Sequence, residues 1–547
     1  PQPPGHQKLT RKPSILRHLS GESTVSPVSS FELELGCGIL LRWIDGPVIL
    51  ENMKRVSPCL LALCALLACN PQSVQIEEGE VDRTGEIIFL DGRFDDWAKI
   101  EPAVIDPVGD AAPGAIDFSQ VKISNDNEYV LLKIDLGRET IWQNDALTAG
   151  GNDIRIYFDA GPPQRSSLGT TRADLTDSAE QCHDLEIHLG SKSASICRDG
   201  LPLSLSLNEV GMFVAPTHSS STFEIAIPYS LHPQPGAPFA VVGESEVSIY
   251  IAETQGGDRV PDEGRLKYQL LKEVSQVEPI SLLRQEPGDI RVLSHNALYT
   301  GPANRPDHFR RYLLALQPDI VNFQELWEWS EEQAEGFMNS VLGGTWHVAK
   351  VDDCVTASRF PIADRAALLT NLVVRIDLPD GQASTDLILF NAHTPCCGDN
   401  TGRDYVHDLI ASSWRDLLSG NGVFTINEND TVVMLGDFNM VGIYRQLKSL
   451  RDGEINNYER FGPDFSPARE RGSLTEVPLR HTHTRHFYTW RADPAPFTPG
   501  KLDYILFSDD TAVLKNNFAL WTPDMPQEVL QQHGLEKNDS ILASDHL

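Results

Sequence analysis

Short apolar runs recur through the second half of the chain, and most of them end near a polar residue. Four such runs lie at 290–293, 320–323, 387–390 and 432–435. Runs of this length, rich in leucine and β-branched residues, are typical of buried strands in packed sheets. The polar residues that follow them are Asn296, Glu325, His393 and Asp437. If the strands share a pair of sheets, we expect these four side chains to converge at one rim.

Between residues 83 and 273 the pattern changes to a series of short strands. The predicted strands are 87–92, 121–124, 129–136, 154–159, 185–189, 223–228 and 247–252. The Asn-Asp-Asn-Glu stretch at 125–128 predicts a hairpin turn between two of them. Because no long helical period interrupts the series, it predicts an all-β sandwich.

Polar stretches divide the chain into a multidomain protein. Residues 70–82 and 274–287 are the predicted linkers. They separate an N-terminal sandwich, residues 83–273, from a C-terminal segment, residues 288–547. A polar, Pro-containing linker is typical of a boundary that few contacts cross. We therefore expect the two parts to fold as separable units, so that a chain beginning near Gln285 remains folded.

The polar residues of the C-terminal segment suggest a metal and a phosphate. Carboxylates gathered at one rim repel one another unless a divalent cation neutralises them. Carboxylate and amide oxygens suit Mg²⁺, Mn²⁺ or Ca²⁺ better than zinc. An imidazole has the unperturbed pKa nearest neutrality, so two histidines can share acid and base work.

Eight short motifs occur in order through the C-terminal segment, at 294–296, 324–325, 358–362, 391–394, 436–439, 488–490, 502–505 and 544–546. With these motifs the segment resembles the endonuclease/exonuclease/phosphatase superfamily. The resemblance implies a deoxyribonuclease I-like fold, an α/β four-layer sandwich of two packed sheets with helices outside. It also implies a metal-dependent phosphoester hydrolase.

The resemblance implies a metal site made of three residues. Glu325 would be the principal ligand, Asn296 would lie beside it, and Asp545 would close the site. Mg²⁺ is the expected ion, with Mn²⁺ and Ca²⁺ as alternatives. The cation would polarise a phosphoryl oxygen and steady the leaving oxygen.

The same resemblance implies the catalytic roles. His546 would take the proton of the attacking water and would be oriented by Asp503. Asp437 and Asn439 would hold the water and a non-bridging oxygen, and His393 would donate to the phosphate or to the leaving group. Relatives with two such histidines pair the first with a carboxylate between the second and fourth motifs. Asp352 and Asp353 lie in that interval, and the choice stays open.

A run of three histidines at 481, 483 and 486 resembles a metal-binding stretch, because residues two apart share a strand face. We interpret it instead as part of a loop that lines the substrate cleft.

The beginning of the chain predicts export. The first methionine is Met53, followed by Lys54-Arg55, an apolar run at 59–68 and Cys69. A basic stretch followed by a short apolar run is typical of a secretory signal. Residues 66–69 resemble a bacterial lipobox, which implies lipidation at Cys69, a signal peptide over 53–69 and a membrane anchor in the cell envelope. Asn70 favours the outer membrane. Residues 1–52 are then either upstream translation or a disordered leader.

Cysteine use is compatible with an oxidising compartment. Cys182 and Cys197 flank a predicted hairpin and could bridge across it, and Cys354 could reach Cys396 or Cys397. The alternative is that all five are reduced, since connectivity cannot be read from the sequence.

Charge bears on the substrate. The chain carries 45 basic and 77 acidic residues, a net charge of −32. Such a field repels nucleic acid, whose binding relies on lysine and arginine to neutralise phosphates. A small phosphoester suffers less, although nucleic acid remains a candidate substrate. No protein partner is inferred.

The N-terminal sandwich resembles family 9 carbohydrate-binding modules and their DOMON-like relatives through residues 91–97 and 127–129. The resemblance implies a glycan ligand. Trp97 would either stack on a sugar or plug the end of the sandwich.

The leading hypothesis is thus an exported, lipid-anchored, metal-dependent phosphodiesterase or phosphatase. The alternatives are an extracellular nuclease and a surface glycan-binding protein whose catalytic fold is idle. Intact Glu325, Asp437, Asp503 and His546 argue against the idle fold.

Overall fold

A computed structural model of the chain describes residues 32–35, 39–42, 85–142, 153–159, 183–198, 201–231, 238–243, 245–254, 257–468 and 472–547. Pro1–Val81 and Asp82–Leu547 are two separate units. In the first, β1 (Glu32–Leu35) pairs antiparallel with β2 (Ile39–Arg42). The predicted signal peptide with Cys69, and most of the predicted leader, lie outside the described residues. No helix in the described ranges combines the length and apolar character needed to cross a bilayer.

The N-terminal sandwich is all-β, as its sequence predicts, but the predicted strand at 87–92 is absent from these described residues, where only Leu90 forms a bridge, to His486. Its strands are β3 (Pro102–Ile105), β4 (Gln120–Asn125), β5 (Tyr129–Thr140), β6 (Ile154–Asp159), β7 (Leu185–His188), β8 (Ser193–Arg198), β9 (Leu201–Ser206), β10 (Phe213–Ala215), β11 (Ser220–Pro228), β12 (Ser230–Leu231), β13 (Phe239–Ala240), β14 (Glu246–Glu253), β15 (Arg259–Val260) and β16 (Leu266–Gln269). A 3₁₀ turn at Asp96–Lys99 and helix α1 (Leu207–Val210) complete its described elements.

Two sheets form this sandwich. One has the order β10-β11-β5-β4-β3, and the other has the order β15-β14-β6-β7-β8-β9 with β16 also paired to β14. Buried and partly exposed positions alternate along β6 and β14, as expected for strands with one face in a core. Phe118, Phe158 and Phe223 are fully buried within that core. The 125–128 turn forms as predicted, with the Asp126 carboxylate accepting hydrogen bonds from the amides of Glu128 and Tyr129.

The C-terminal segment alternates strands and helices. Its elements are β17 (Val292–Asn296), α2 (Gly301–Asn304), α3 (Pro306–Leu316), β18 (Ile320–Gln324), α4 (Glu331–Leu342), β19 (His347–Val351), β20 (Cys354–Ser358), β21 (Ile362–Leu368), β22 (Asn371–Ile376), β23 (Leu387–His393), α5 (Asn400–Leu418), β24 (Thr431–Asp437), α6 (Arg445–Asp452), α7 (Tyr458–Phe461), β25 (Thr475–Glu476), β26 (Asp503–Phe507), α8 (Gln527–His533) and α9 (Asp539–Ala543).

Two sheets with helices outside make this segment a four-layer α/β sandwich. The sheets have the orders β17-β18-β20-β19 and β21-β22-β23-β24-β26-β25. Apolar residues of both, among them Ile320 and Leu389, form the core between them. Helices α3 and α4 pack on the first sheet through Phe309 and Met338, and α5 packs on the second through Trp414. The four apolar runs of the sequence became β17, β18, β23 and β24, which confirms the deoxyribonuclease I-like prediction.

The N-terminal sandwich and the C-terminal segment share a buried apolar cluster, contrary to the expectation of few crossing contacts. The cluster joins Ile88, Trp97 and Phe213 of the sandwich to Tyr488 and Trp521 of the C-terminal segment. The Phe213 and Tyr488 rings are stacked, with centroids 5.2 Å apart. The boundaries at 273 and 288 stay a prediction, but these contacts argue against two separable units. A chain cut near Gln285 would lose the apolar partners of Tyr488.

Arg485 fixes the polar side of this interface. Its backbone oxygen accepts the Leu90 amide at 3.2 Å, and its Nη1 donates to the Ile88 oxygen at 2.9 Å. Its Nε lies 2.8 Å from the Asp126 carboxylate, and both side chains are about nine-tenths buried. The ion pair therefore crosses from one fold to the other where solvent screening is weak.

Trp97 belongs to this interface and not to an open sugar platform. Its side chain is fully buried, and its indole Nε1 donates to Glu224 Oε2 at 3.0 Å. Burial raises the pKa of Glu224 well above its usual value. Of the two roles expected from the sequence, the structure places Trp97 in the packed one.

We predict that Arg485→Ala destabilises the protein by about 3 kcal/mol, because it leaves Asp126 buried without its charge partner. Chemical denaturation followed by far-ultraviolet circular dichroism measures the change. Arg365→Ala is the matched control, since the Arg365–Glu331 ion pair is exposed and worth roughly 0–1 kcal/mol. Equal losses in the two variants would contradict a structural role for the interface.

Candidate active site

Strand register brings the predicted residues to one rim. Strands β17 and β18 run parallel and place Asn296 beside Gln324, one residue before Glu325. Strands β23 and β24 also run parallel and place His393 beside Asp437. Asp437 in turn lies opposite Asp503 on antiparallel β26. Because the carboxyl ends of neighbouring parallel strands share an edge, these polar residues meet there.

The backbone at the rim is constrained. Gly436 has φ of 130°, and a Cβ at this position would lie 2.0 Å from the Ala392 oxygen. Only glycine therefore allows β24 to approach β23 this closely. Glu325 and Asn439 adopt the left-handed region with φ of 61° and 47°. Holding residues other than glycine in this backbone region costs free energy, and such residues are typical of functional sites.

The Asp437 carboxylate is the centre of the arrangement. Its Oδ2 accepts a hydrogen bond from Asn296 Nδ2 at 3.0 Å and lies 3.7 Å from Nε2 of both His393 and His546. Its Oδ1 accepts the Asn439 amide at 2.9 Å. The Asn439 side chain donates instead to the Thr394 oxygen at 2.9 Å. Two imidazoles thus face one buried carboxylate.

His546 and Asp503 form the first of two carboxylate–imidazole pairs. Nδ1 of His546 lies 2.8 Å from Asp503 Oδ2, so Nε2 is the nitrogen that faces Asp437. His295 supports the pair from behind, with its Nε2 3.3 Å from the His546 backbone oxygen and its Nδ1 2.8 Å from the Tyr312 hydroxyl. Burial lowers the pKa of His295 to about 3, so this imidazole is neutral and structural.

Asp353 and His393 form the second pair, and this answers the choice that the sequence leaves open. Asp353 Oδ2 lies 2.5 Å from His393 Nδ1 and also accepts the Glu325 amide at 3.0 Å. Asp352 and Asp353 are the two residues between β19 and β20. Asp352 is exposed with φ of 52°, whereas Asp353 is buried. The sequence signal for this pair was two adjacent aspartates between two strands. That signal does not tell which of the two side chains points inward.

Glu325 and Asn296 lie together, as the predicted metal site requires. Glu325 Oε1 accepts from Asn296 Nδ2 at 3.1 Å, and its Oε2 accepts the Tyr299 amide at 3.0 Å. Asp545 accepts a hydrogen bond from the Trp490 indole at 3.1 Å. The carboxylates of Asp545 and Glu325 both interact electrostatically with the Arg305 guanidinium. The donor set of carboxylate and amide oxygens fits Mg²⁺.

A second group of potential ligands needs a different explanation. Ligand atoms of Asp437, Asp503 and His546 lie within 4.8 Å of one another. However, Asp503 and His546 are already joined by their hydrogen bond, which accounts for that proximity without an ion. Glu325, Asn296 and Asp545 therefore stay the candidate metal ligands, as predicted from the sequence.

Charge in the site favours protonated imidazoles when no cation is present. Burial opposes protonation of His393, but Asp353 and Asp437 outweigh it and raise the pKa of His393 to about 9. Burial likewise opposes protonation of His546, but Asp503 and Asp437 raise its pKa to about 10. A base must be neutral to accept a proton, so the site works near neutrality only if positive charge offsets these carboxylates.

The histidines at 481 and 486 are buried among aromatic side chains and do not line the cleft. Both are buried, and the His486 ring lies 4.1 Å from the Phe213 ring. His481 contacts the Tyr488 oxygen at 2.7 Å, and burial lowers its pKa to about 3. The prediction of a cleft-lining loop is wrong for these two residues, because Phe213 and Tyr129 of the sandwich cover His486, and Tyr488 and Trp521 of the C-terminal segment cover His481.

The cysteines near the rim are free. Cys354 is buried while Cys396 and Cys397 are exposed, and none of the three forms a disulfide. The suggested bridge from Cys354 is therefore wrong. Cys197 is disulfide-bonded, and its predicted partner Cys182 lies outside the described residues.

The sequence of residues 293–546 matches the model of the Endonuclease/Exonuclease/phosphatase family. The match spans nearly all of the C-terminal segment and a little under half of the chain. The catalytic fold is therefore that of a hydrolase of the phosphoesterase and nuclease type. No curated protein matches the chain.

Several solved structures are similar to part of the chain. A β-hairpin deletion mutant of beta toxin from Staphylococcus aureus is 16% identical, with 44% of this chain and 94% of that chain covered and a TM-score of 0.28. The human Nocturnin catalytic domain is 16% identical, with 42% and 85% covered and a TM-score of 0.27. A family protein from Leptotrichia buccalis is 14% identical, with 42% and 91% covered and a TM-score of 0.28. Scores this low carry no argument about substrate.

We predict that Asp353→Asn lowers turnover by about 10²-fold or more while leaving the fold intact. An amide carries no charge to stabilise the imidazolium of His393, yet its oxygen can still accept the Glu325 amide. Steady-state hydrolysis of a chromogenic phosphodiester measures the loss. Asp352→Asn, in the exposed neighbour, should keep wild-type turnover. A loss in Asp352→Asn, or none in Asp353→Asn, would show that the pair is misassigned.

We also predict that His546→Ala and Asp503→Asn each lower turnover by roughly 10³-fold or more, and that the double variant is little worse. The reason is that Asp503 acts only through the imidazole that it orients. The measurement is a double-mutant cycle, in which steady-state rates are compared for the wild type, the two single variants and the double variant. Strictly multiplicative losses would mean that the two residues work independently.

Proposed function

We propose that the protein is an exported, lipid-anchored phosphodiesterase or phosphatase that depends on a divalent cation, preferably Mg²⁺. The observation that carries the proposal is the meeting of two carboxylate–imidazole pairs at Asp437, next to the Asn296–Glu325 contact. An idle relative of the fold has no need for two oriented imidazoles that face one carboxylate in a buried site.

The residues would divide the work as follows. His546 Nε2 takes the proton of the attacking water, while Asp503 holds the imidazole in the required tautomer. His393 Nε2 donates a proton or hydrogen bond to the phosphate or to the leaving oxygen, with Asp353 holding Nδ1. Asp437, fixed by the amides of Asn296 and Asn439, positions the water.

Glu325, Asn296 and Asp545 would hold the cation. When bound, Mg²⁺ supplies positive charge that polarises a phosphoryl oxygen and stabilises the leaving oxygen. The same charge would lower the pKa of His546 so that its Nε2 is free to act as the base, while His393 would keep the proton that it donates.

Overall charge favours a small phosphoester over nucleic acid as the substrate. A net charge of −32 repels long polyanions, whereas a small substrate meets only the local field of the rim. A nuclease remains the second candidate.

We predict that turnover requires Mg²⁺ and that Glu325→Gln abolishes it without loss of folded structure. The amide keeps the shape of Glu325 but removes the charge that would hold the cation. Hydrolysis of bis(p-nitrophenyl) phosphate, p-nitrophenyl phosphate, plasmid DNA and RNA is compared with Mg²⁺ and with EDTA. Glu328→Gln, in an exposed neighbour, is the matched control. Full activity in EDTA or in Glu325→Gln would refute the metal site, and preference for DNA or RNA would favour the nuclease.

We infer the anchor from the run at 59–68 and from Cys69. A thioether-linked lipid requires the thiol of that residue. Cys69→Ser, expressed from Met53 in a bacterial host, should therefore lose its lipid and leave the detergent phase in phase partitioning. Wild-type protein that stays wholly in the aqueous phase would contradict the anchor and the outer-membrane location together.

A further inference from the structure

Three aspartates cluster at one end of the N-terminal sandwich, outside the candidate active site. Asp106 follows β3 and shares the β3–β4 loop with Asp110, and Asp258 directly precedes β15. One oxygen of each carboxylate lies within 4.8 Å of the others. The loop belongs to one sheet and the β15 strand to the other, so the cluster bridges the two sheets.

Asp106 is a buried member of this cluster. Its side chain is only 4% exposed, and its buried Oδ2 has no hydrogen-bond partner among the described residues. A carboxylate oxygen removed from water without a donor is strongly unfavourable unless the group is protonated or a cation takes the place of the donor. The unpartnered oxygen belongs to one of the three clustered carboxylates, where a cation shared by all three would satisfy it.

The described residues around Asp106 do not supply a positive partner for its carboxylate. The charged groups that act most on Asp106 are Asp258, Asp262, Asp110 and Asp117, all of them acidic. The nearby Arg259 guanidinium is already engaged, since it donates to the backbone oxygens of Asp262 and Gly264 and lies 4.6 Å from the Tyr250 ring centroid.

The backbone holds the carboxylates in place. The Phe118 and Arg259 amides donate to the two oxygens of Asp258 at 2.6 and 2.7 Å. The Gly109 amide donates to Asp117 Oδ2 at 2.8 Å. Each of these oxygens keeps a further lone pair, so the hydrogen bonds position the side chains without exhausting them as ligands.

We propose that Asp106, Asp110 and Asp258 form a Ca²⁺ site that ties the β3–β4 loop of one sheet to the β14–β15 connection of the other. Ca²⁺ accepts six to eight oxygen ligands in flexible geometry and is the hard cation that suits a cluster of several carboxylates on loops. Mg²⁺ demands a stricter octahedron and keeps more of its water. The role is structural, since no imidazole or nucleophile belongs to the cluster.

The test uses the full chain stripped with EDTA and then titrated separately with Ca²⁺ and Mg²⁺. Calorimetry counts the bound ions, and circular dichroism gives the midpoint of thermal unfolding. Ca²⁺ should raise the midpoint of the wild type, because a ligand that binds only the folded state stabilises it. Asp106→Asn should bind one Ca²⁺ fewer and lose that increase, while its midpoint in EDTA should not fall. Asp95→Asn, in an exposed residue of the same sandwich, is the control and should behave as wild type.

Hydrolysis of a chromogenic phosphodiester with Mg²⁺ separates this site from the active site, and it should be unchanged in Asp106→Asn. An unaltered Ca²⁺ count and midpoint shift in Asp106→Asn would overturn the proposal, and so would a loss of the Mg²⁺-induced shift in Asp106→Asn equal to its loss of the Ca²⁺-induced shift. If Asp106→Asn does not fold, Asp110→Asn decides, because Asp110 is exposed and its loss removes a ligand without disturbing the core. Retention of the full Ca²⁺ effect in Asp110→Asn would then overturn the site.

Discussion

The Asp437 carboxylate is the group on which the geometry of the site depends. It stands on the second sheet, accepts a hydrogen bond from Asn296 on the first, and faces an imidazole from each carboxylate–imidazole pair. A buried negative charge persists only where donors and positive charge surround it. The left-handed turn at Asn439 and the close approach at Gly436 hold Asp437 in that position.

The N-terminal sandwich extends this support from the outside. Its Phe213 and the Arg485–Asp126 ion pair fix the stretch that leads from His481 to Trp490. That stretch then reaches the rim, where the Trp490 indole donates to Asp545 and the Thr489 hydroxyl accepts the Asp503 amide. Packing against the sandwich is thus physically continuous with the candidate metal and base residues, which explains why the two parts form one compact unit.

The pattern of apolar runs predicted most of the strands, because a buried strand and the polar residue at its end lie within a few consecutive positions of the sequence. The meeting of Asn296, Glu325, His393 and Asp437 at one rim followed from that pattern. The fold and the role of His546 were implied by the family resemblance. Asp353 could not be chosen over Asp352, because the backbone conformation of a two-residue turn decides which one points inward. The interface was missed since Phe213 and Tyr488 look like ordinary core residues of their own folds. Packing between distant parts leaves no periodic signal.

Proton release is the most direct test of whether a cation binds beside the two imidazoles that face Asp437. At about pH 8, between the ordinary imidazole pKa and the raised values of His393 and His546, the cation-free site holds protons that a bound cation should expel. Calorimetric titration with Mg²⁺ in buffers of different ionisation enthalpy measures that release. We expect a net release on the order of one proton per bound Mg²⁺, and an affinity that increases with pH. Mg²⁺ binding without proton release, or no binding at all, would contradict it.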